Sequence, residues 1–224
     1  QVAVRRKPRI AVIPTGTELV TPGGALKPGN IIESNSLVLA GLADECGAVA
    51  TRLDPVPDDY EQLKQALRRA LHEHDIVLLN AGASAGRRDF TAALVSEMGQ
   101  VVVHGVAIRP GHPVVLGLVD GKPVVGLPGY PVSAALTFDL FVRPLIYRLQ
   151  GLAIPQRTSI EALMTRKVFS PMGQEEFLRV KVGKVSGEYL AMPLQRGAGT
   201  TMSLVRADGL VRIPSESEGL RERQ

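Results

Sequence analysis

Apolar and polar positions fall into blocks whose period changes along the chain. Arg9 to Pro14 is a short apolar run of β character, and a Gly/Pro-rich loop follows it. A helix is expected from about Ser34 to Cys46 and a second strand from Val49 to Val56. Asp58-Asp59 then stands at the head of an amphipathic helix, with Leu63, Ala66, Leu67, Ala70 and Leu71 at helical spacing. Asp75 to Asn80 is a third, fully apolar strand. The glycine loop Ala81-Gly82-Ala83-Ser84-Ala85-Gly86 leads to a helix from about Phe90 to Met98. Val101 to Ile108, Pro113 to Leu118 and Lys122 to Leu127 complete a sheet, and a long helix from Ser133 to Leu149 closes it. Strands alternating with helices predict a three-layer α/β/α unit with a largely parallel sheet.

Past Gly151 the period changes. Thr158 to Phe169, Glu176 to Lys184, Tyr189 to Gln195 and Gly209 to Ile213 read as short strands separated by Gly, Pro and Ser, with no long helix. The pattern predicts an α/β domain over 1–150 and a small all-β domain over 151–224, joined near Gln150 to Gln156. The last stretch, Ser215 to Gln224, is polar.

Composition narrows the function. With 45% hydrophobic and 21% charged residues among 224, the chain reads as a soluble globular protein. No apolar run approaches the ~18 residues that span a bilayer, and no signal-peptide pattern opens it. The start, Gln1-Val2-Ala3-Val4-Arg5-Arg6-Lys7, reads as the middle of a longer protein. A lone cysteine, Cys46, excludes an internal disulfide and a multi-cysteine metal site, and the cytoplasm is the expected compartment. A net charge of +4 and few aromatics speak against nucleic acid and for an anionic small molecule.

The candidate chemistry sits where strands end. The run Gly126-Leu127-Pro128-Gly129-Tyr130-Pro131-Val132-Ser133 joins a buried strand to a helix through a turn that two prolines and a glycine hold in one shape. Such strand ends are where open α/β sheets place ligands. Thr15-Gly16-Thr17-Glu18-Leu19 follows the first strand; Glu18 is a metal- or proton-handling carboxylate there, or a solvated loop residue. Asp58 is most simply an N-cap, and Asp89 is another cap candidate. The small residues of 81–86 let backbone approach a phosphate or pterin closely. In Arg109-Pro110-Gly111-His112-Pro113, the arginine suits an oxyanion contact or is an ordinary turn residue. Arg179 and the segment Gly197 to Ser203 offer a further anion-holding surface, or a flexible loop. Three carboxylates with several cationic and hydroxyl groups fit metal-assisted phosphoryl-type chemistry. No Ser-His-Asp set, zinc cluster or Walker loop is present.

Thr15 to Leu19, Asn35 at a helix start, Asp58-Asp59, the glycine loop with Asp89, the Arg-Pro-Gly-His-Pro turn and the Gly-Leu-Pro-Gly-Tyr-Pro-Val-Ser run occur in one order. In that order they resemble the molybdopterin molybdenumtransferase family (MoeA and the gephyrin E-domain) over essentially the whole chain. The resemblance implies a MogA-like α/β/α molybdopterin-binding domain, a small C-terminal β domain, and two preceding domains outside this sequence. It implies a cytoplasmic homodimer that inserts molybdate into adenylylated molybdopterin with Mg²⁺ and releases AMP. By matching position, Glu18, Asp58 and Asp89 are the acidic catalytic residues, with Asp89 and Glu18 on the metal. Thr15, Gly16, Gly82, Ser84, Gly86, Pro128, Gly129, Pro131 and Ser133 hold the pterin cofactor. Arg109, His112, Pro113, Arg179 and Ser203 form the molybdate pocket.

Several positions depart from the family pattern. Thr17 replaces an aspartate, Glu33 opens the usual Asp-Ser/Thr-Asn motif, and Ala81 replaces a glycine. Arg87 stands in place of an acidic residue, Gly105 and His112 in place of lysines, Arg109 in place of another lysine, and Tyr130 in place of asparagine. Two other readings stay open: a non-catalytic module that binds molybdopterin or molybdate as sensor or carrier, and a scaffold that binds partner peptides.

Overall fold

Seven consecutive residues, Arg9–Thr15, form the first strand (β1), and all but the first are buried. A run that is apolar on both faces needs cover on both, and the chain supplies it with helices. The computed structural model describes residues 2, 4–81, 90–197, 199 and 201–224. In chain order the elements begin with β1, β2 (Leu19–Val20), β3 (Ile31–Ile32), α1 (Asn35–Glu45), β4 (Val49–Arg52), α2 (Tyr60–Glu73), β5 (Ile76–Ala81) and α3 (Phe90–Met98). They continue through β6 (Gln100–His104), the displaced β7 (Ile108–Arg109), β8 (Val115–Val119), β9 (Lys122–Leu127), α4 (Pro131–Thr137), a π-helical turn (Phe138–Val142) and α5 (Arg143–Gln150).

Six strands form one sheet in the order β4-β1-β5-β9-β8-β6. The first four run parallel, whereas β8 is antiparallel to both of its neighbours. Alternation along β1 and β5 sends Ala11, Ile13, Val77 and Leu79 to one face, where Leu63, Leu67, Ala70 and Leu71 of α2 and Leu94 and Val95 of α3 meet them. α1 and α4 pack on the sheet and on each other, with Leu39, Ala43, Val132 and Leu136 buried. The expected α/β/α layering and largely parallel sheet are therefore present.

Two local expectations differ. The long last helix starts at Pro131, not Ser133, because proline's fixed φ and missing N–H suit a first helical position. It also passes through the π-helical turn just ahead of Pro144, whose ring and absent donor disturb the ladder four residues back. The single strand expected from Val101 to Ile108 is broken: β6 ends at His104, and β7 pairs instead with a strand of the second unit.

The chain divides into two compact units, Gln1–Gly105 with Pro113–Ile154, and Val106–His112 with Pro155–Gln224. The second contains β10 (Leu163–Met164), β11 (Val168–Phe169), β12 (Glu175–Val185), β13 (Glu188–Pro193), α6 (Thr201–Arg206), β14 (Gly209–Ile213) and β15 (Gly219–Leu220). β10-β13-β12-β14 form a sheet with β7 added to β12, and β11 pairs β15. Its core is Met164, Val168, Leu178, Val180, Ala191 and Ile213. The strand expected from Thr158 to Phe169 shrinks to two pairs of residues, and one short helix, α6, interrupts an otherwise all-β unit.

Candidate functional site

Because β4, β1, β5 and β9 are parallel, the segments that follow them emerge on one edge of the sheet. At the end of β1, Thr15 bridges to Val56, and Gly16 donates its N–H to the Val56 carbonyl at 3.0 Å. Gly16 has φ +151°, and the Glu18 carboxylate lies over it, 2.9 Å from where a side-chain Cβ would stand. Only glycine fits there. Thr17 accepts a hydrogen bond from the backbone N–H of Asp58 at 3.1 Å, which joins the Glu18 loop to the segment after β4. Asp58 is not the N-cap of α2. That position belongs to Asp59, whose side chain accepts from the Gln62 N–H at 2.9 Å, so the exposed Asp58 carboxylate has no capping duty.

The segment after β9 is held from beneath. Asn80, next to last in β5, is 3% exposed and donates from Nδ2 to the Pro128 carbonyl at 2.9 Å, and more distantly to Leu127 at 3.5 Å. Asn35, in the first turn of α1, donates to Asn80 Oδ1 at 3.1 Å and to the Gly129 carbonyl at 2.6 Å. Pro128 is buried, Gly129 and Pro131 are half-buried, and Ser133 is buried in the first turn of α4. Gly82, Ser84, Gly86 and Asp89, with Asp89's expected cap, lie outside the described residues. Among the described residues no group of three or more His, Cys, Asp or Glu gathers to hold a metal.

The second unit builds a cationic site. β12 carries Glu176 and Arg179, and β7 lies alongside with Arg109 opposite Glu176. Arg179 is only 6% exposed. Its Nη2 donates to the carbonyls of Gln195 and Gly197, each at 3.3 Å, while the buried Nε has no partner among the described residues. Burial pushes the guanidinium pKa down and nearby Glu176 opposes the shift, so the charge is held at a cost that an anion would offset. Ser203, on α6, is buried too, and α6 packs on β12. The exposed His112 ring is oriented by Nδ1, which must donate to the Val106 carbonyl at 2.8 Å because a carbonyl only accepts. Arg109 is exposed, and Pro113 belongs to the α/β unit.

The description "Probable molybdopterin binding domain" matches residues 11–148, and "MoeA C-terminal region (domain IV)" matches residues 161–222. The chain belongs to the molybdopterin molybdenumtransferase (MoeA) family. It is 34% identical to molybdopterin molybdenumtransferase 2 of Mycobacterium tuberculosis over 96% of its length and 55% of the relative's. It is 31% identical to the molybdopterin molybdenumtransferase of Bacillus subtilis over 97% of its length and 51% of the relative's. The crystal structure of the molybdopterin biosynthesis MoeA protein from Pyrococcus horikosii superposes with a TM-score of 0.84 at 40% identity, covering 97% of this chain and 53% of that one. The chain therefore spans about half the length of the MoeA relatives it matches. A molybdenum cofactor biosynthesis protein B structure, at 18% identity and TM-score 0.52 over 66% of the chain, shows the shared fold.

The residue pattern assigned no structural role to Asn80, Glu33, Glu176 or Arg196 in this MoeA-family chain. Asn80 was detectable only as one polar residue closing an apolar strand. Glu33, 9% exposed, accepts from both the N–H and the hydroxyl of Ser36, at 2.7 and 2.6 Å, and so anchors the start of α1. Glu176, 3% exposed, takes the Ser170 hydroxyl at 2.7 Å and a two-point contact from Arg196, at 2.8 and 3.0 Å. Asn80 lies 48 residues from Pro128 and Glu176 lies 20 from Arg196, whereas Glu33 acts within three residues.

Proposed function

We propose that this chain supplies the pterin-holding and oxoanion-holding units of a molybdenum insertase. The full protein, a cytoplasmic homodimer, transfers molybdate to adenylylated molybdopterin and releases AMP. The observation that carries this reading is the buried Arg179 guanidinium, whose Nε has no partner among the described residues, on the strand against which α6 packs with its buried Ser203. A tetrahedral oxoanion presents the acceptor oxygens that a buried guanidinium needs. Arg109 and His112, on the same unit as Arg179, complete the molybdate pocket in this reading.

In this reading the pterin and its phosphates lie along the sequence segments Thr15 to Glu18, Gly82 to Asp89 and Pro128 to Ser133. Glu18 and Asp89, with Asp58 near through Thr17, supply the hard oxygen donors that suit Mg²⁺. When bound, the metal neutralises charge on the phosphate. Thr17 ties the Glu18 loop to the Asp58 segment, and the Glu18 carboxylate lies over Gly16. The Pro128–Pro131 turn forms a rigid wall of the site.

The test is AMP release from adenylylated molybdopterin by the full-length protein, with Asp89→Ala beside wild type. Turnover is expected to vanish in the variant with its fold intact, and unchanged turnover removes Asp89 from the mechanism. A second reading, binding without insertion, draws support from the neutral Thr17, which puts a hydroxyl between two carboxylate-bearing segments. Ligand binding with no AMP release from the wild type selects that reading.

A further inference from the structure

We infer that Asn80 and Asn35 act as a paired amide latch that turns the Gly129 and Tyr130 N–H groups toward the strand-end surface, where they meet a phosphate-class oxygen of the ligand. The ligand half of this inference rests on the function proposed above. The latch itself rests on geometry alone.

Ile76-Val77-Leu78-Leu79 are buried and apolar, so a primary amide at position 80 needs a physical reason. The reason is the turn that follows β9. Pro128 and Pro131 carry no N–H, so this backbone is rich in acceptors and poor in donors. Two side-chain amides make up the difference. Asn80 Nδ2 satisfies Pro128 O and approaches Leu127 O, and Asn35 Nδ2 satisfies Gly129 O. Asn35 also donates to Asn80 Oδ1, which fixes the Asn80 amide with its donors toward the turn. The reverse orientation would set a carbonyl oxygen against two others.

Peptide planarity carries the consequence outward. In a trans peptide the N–H of one residue points opposite to the carbonyl of the residue before it. Drawing Pro128 O and Gly129 O inward to the amides therefore directs the N–H groups of Gly129 and Tyr130 away from them. Gly129 is half-buried and Tyr130 exposed, so those two adjacent donors face the accessible side. Adjacent backbone N–H groups form a concavity suited to anionic oxygen. Asn80 and Asn35 are thus positioning residues.

Asn80→Asp and Asn35→Asp keep side-chain volume and remove the donors, so a packing role and a latch role separate. Amide exchange of Ala134, a buried residue whose N–H donates to the Tyr130 carbonyl at 2.9 Å and so reports on the hold of the turn, is measured in the full-length protein, together with molybdopterin affinity by pterin fluorescence. Each variant is expected to speed exchange at the turn about tenfold or more and to weaken molybdopterin binding by a similar factor. The double variant should be little worse than the stronger single one, since both act on one turn. Unchanged exchange overturns the latch, and changed exchange with unchanged affinity overturns its positioning role. If wild type itself fails to bind molybdopterin, the function proposed above falls while the exchange result still decides the latch. Should Asn80→Asp fail to fold, the half-buried Asn35→Asp variant decides the same question.

Discussion

The strand-end edge of the α/β unit and the Arg179 site of the β unit handle polar groups in opposite ways. At the edge, amides and backbone satisfy one another: Asn80 and Asn35 hold turn carbonyls, Gly16 holds Val56, and Thr17 holds Asp58. In the β unit a buried guanidinium has two carbonyl contacts and keeps one donor that no described residue meets. The first arrangement fixes backbone shape and leaves carboxylates at the surface. The second stores an electrostatic demand that a ligand can meet. Shape and charge are thus supplied by different units of the chain.

The contrast can be broken from either side. The largest expected stability effect is in the β unit. Glu176→Ala strips the bidentate partner from Arg196 and the acceptor from Ser170, and should cost about 3 kcal/mol in denaturant unfolding. A loss well under 1 kcal/mol would mean that this network contributes little. In the α/β unit, close backbone packing takes the place of charge. A Cβ on Gly126 would stand 2.6 Å from Thr91 Cγ2 and 3.1 Å from Val115 Cβ, so Gly126→Ala should cost about 2 kcal/mol through overpacking. Asp59→Ala removes the α2 cap and should cost about 1 kcal/mol, whereas Asp58→Ala should leave stability nearly unchanged. Equal losses from the two aspartates would contradict the separation of cap from site.

The smallest effect is a pH-dependent one. Asp75 accepts both Nη donors of Arg6 and the N–H of Arg9, and the Arg6 hydrogen bonds, the largest cause, hold its carboxyl below the usual range against the opposing effect of burial. A folded pKa below the unfolded value stabilises the protein above the unfolded pKa, and that share is lost as pH falls through the folded one. The gap in denaturant midpoint between wild type and Asp75→Asn should therefore be widest above about pH 4 and close on further acidification. A gap that widens in acid would reverse the sign assigned to Asp75.

The layered fold was legible because its signals are local. Strand β9 and strand β14 occupy the segments expected from apolar runs, and α3 begins and ends where its periodicity does. Elements governed by distant partners were not. β7 leaves the first sheet because Ile108 and Arg109 pair with Glu175 and Glu176, about 67 residues on, and no local period encodes that. The choice between Asp58 and Asp59 as cap depends on a single residue of register. Motif order pointed to the loops that follow β1 and β9, but not to Asn80, whose role appears only when its strand lies beside β9. Glu176 and Arg196 escaped for the same reason, since an acid and a base twenty residues apart carry no spacing rule.

The central claim is that Arg179 holds a charge awaiting an oxoanion. Calorimetric titration of molybdate into the full-length protein, wild type beside Arg179→Met, tests it most directly. Wild type should bind, and the variant should lose at least about tenfold in affinity while unfolding at the same temperature or higher, because a buried, incompletely paired charge has been replaced by an apolar side chain of similar reach. Molybdate affinity unchanged by the substitution would contradict the account.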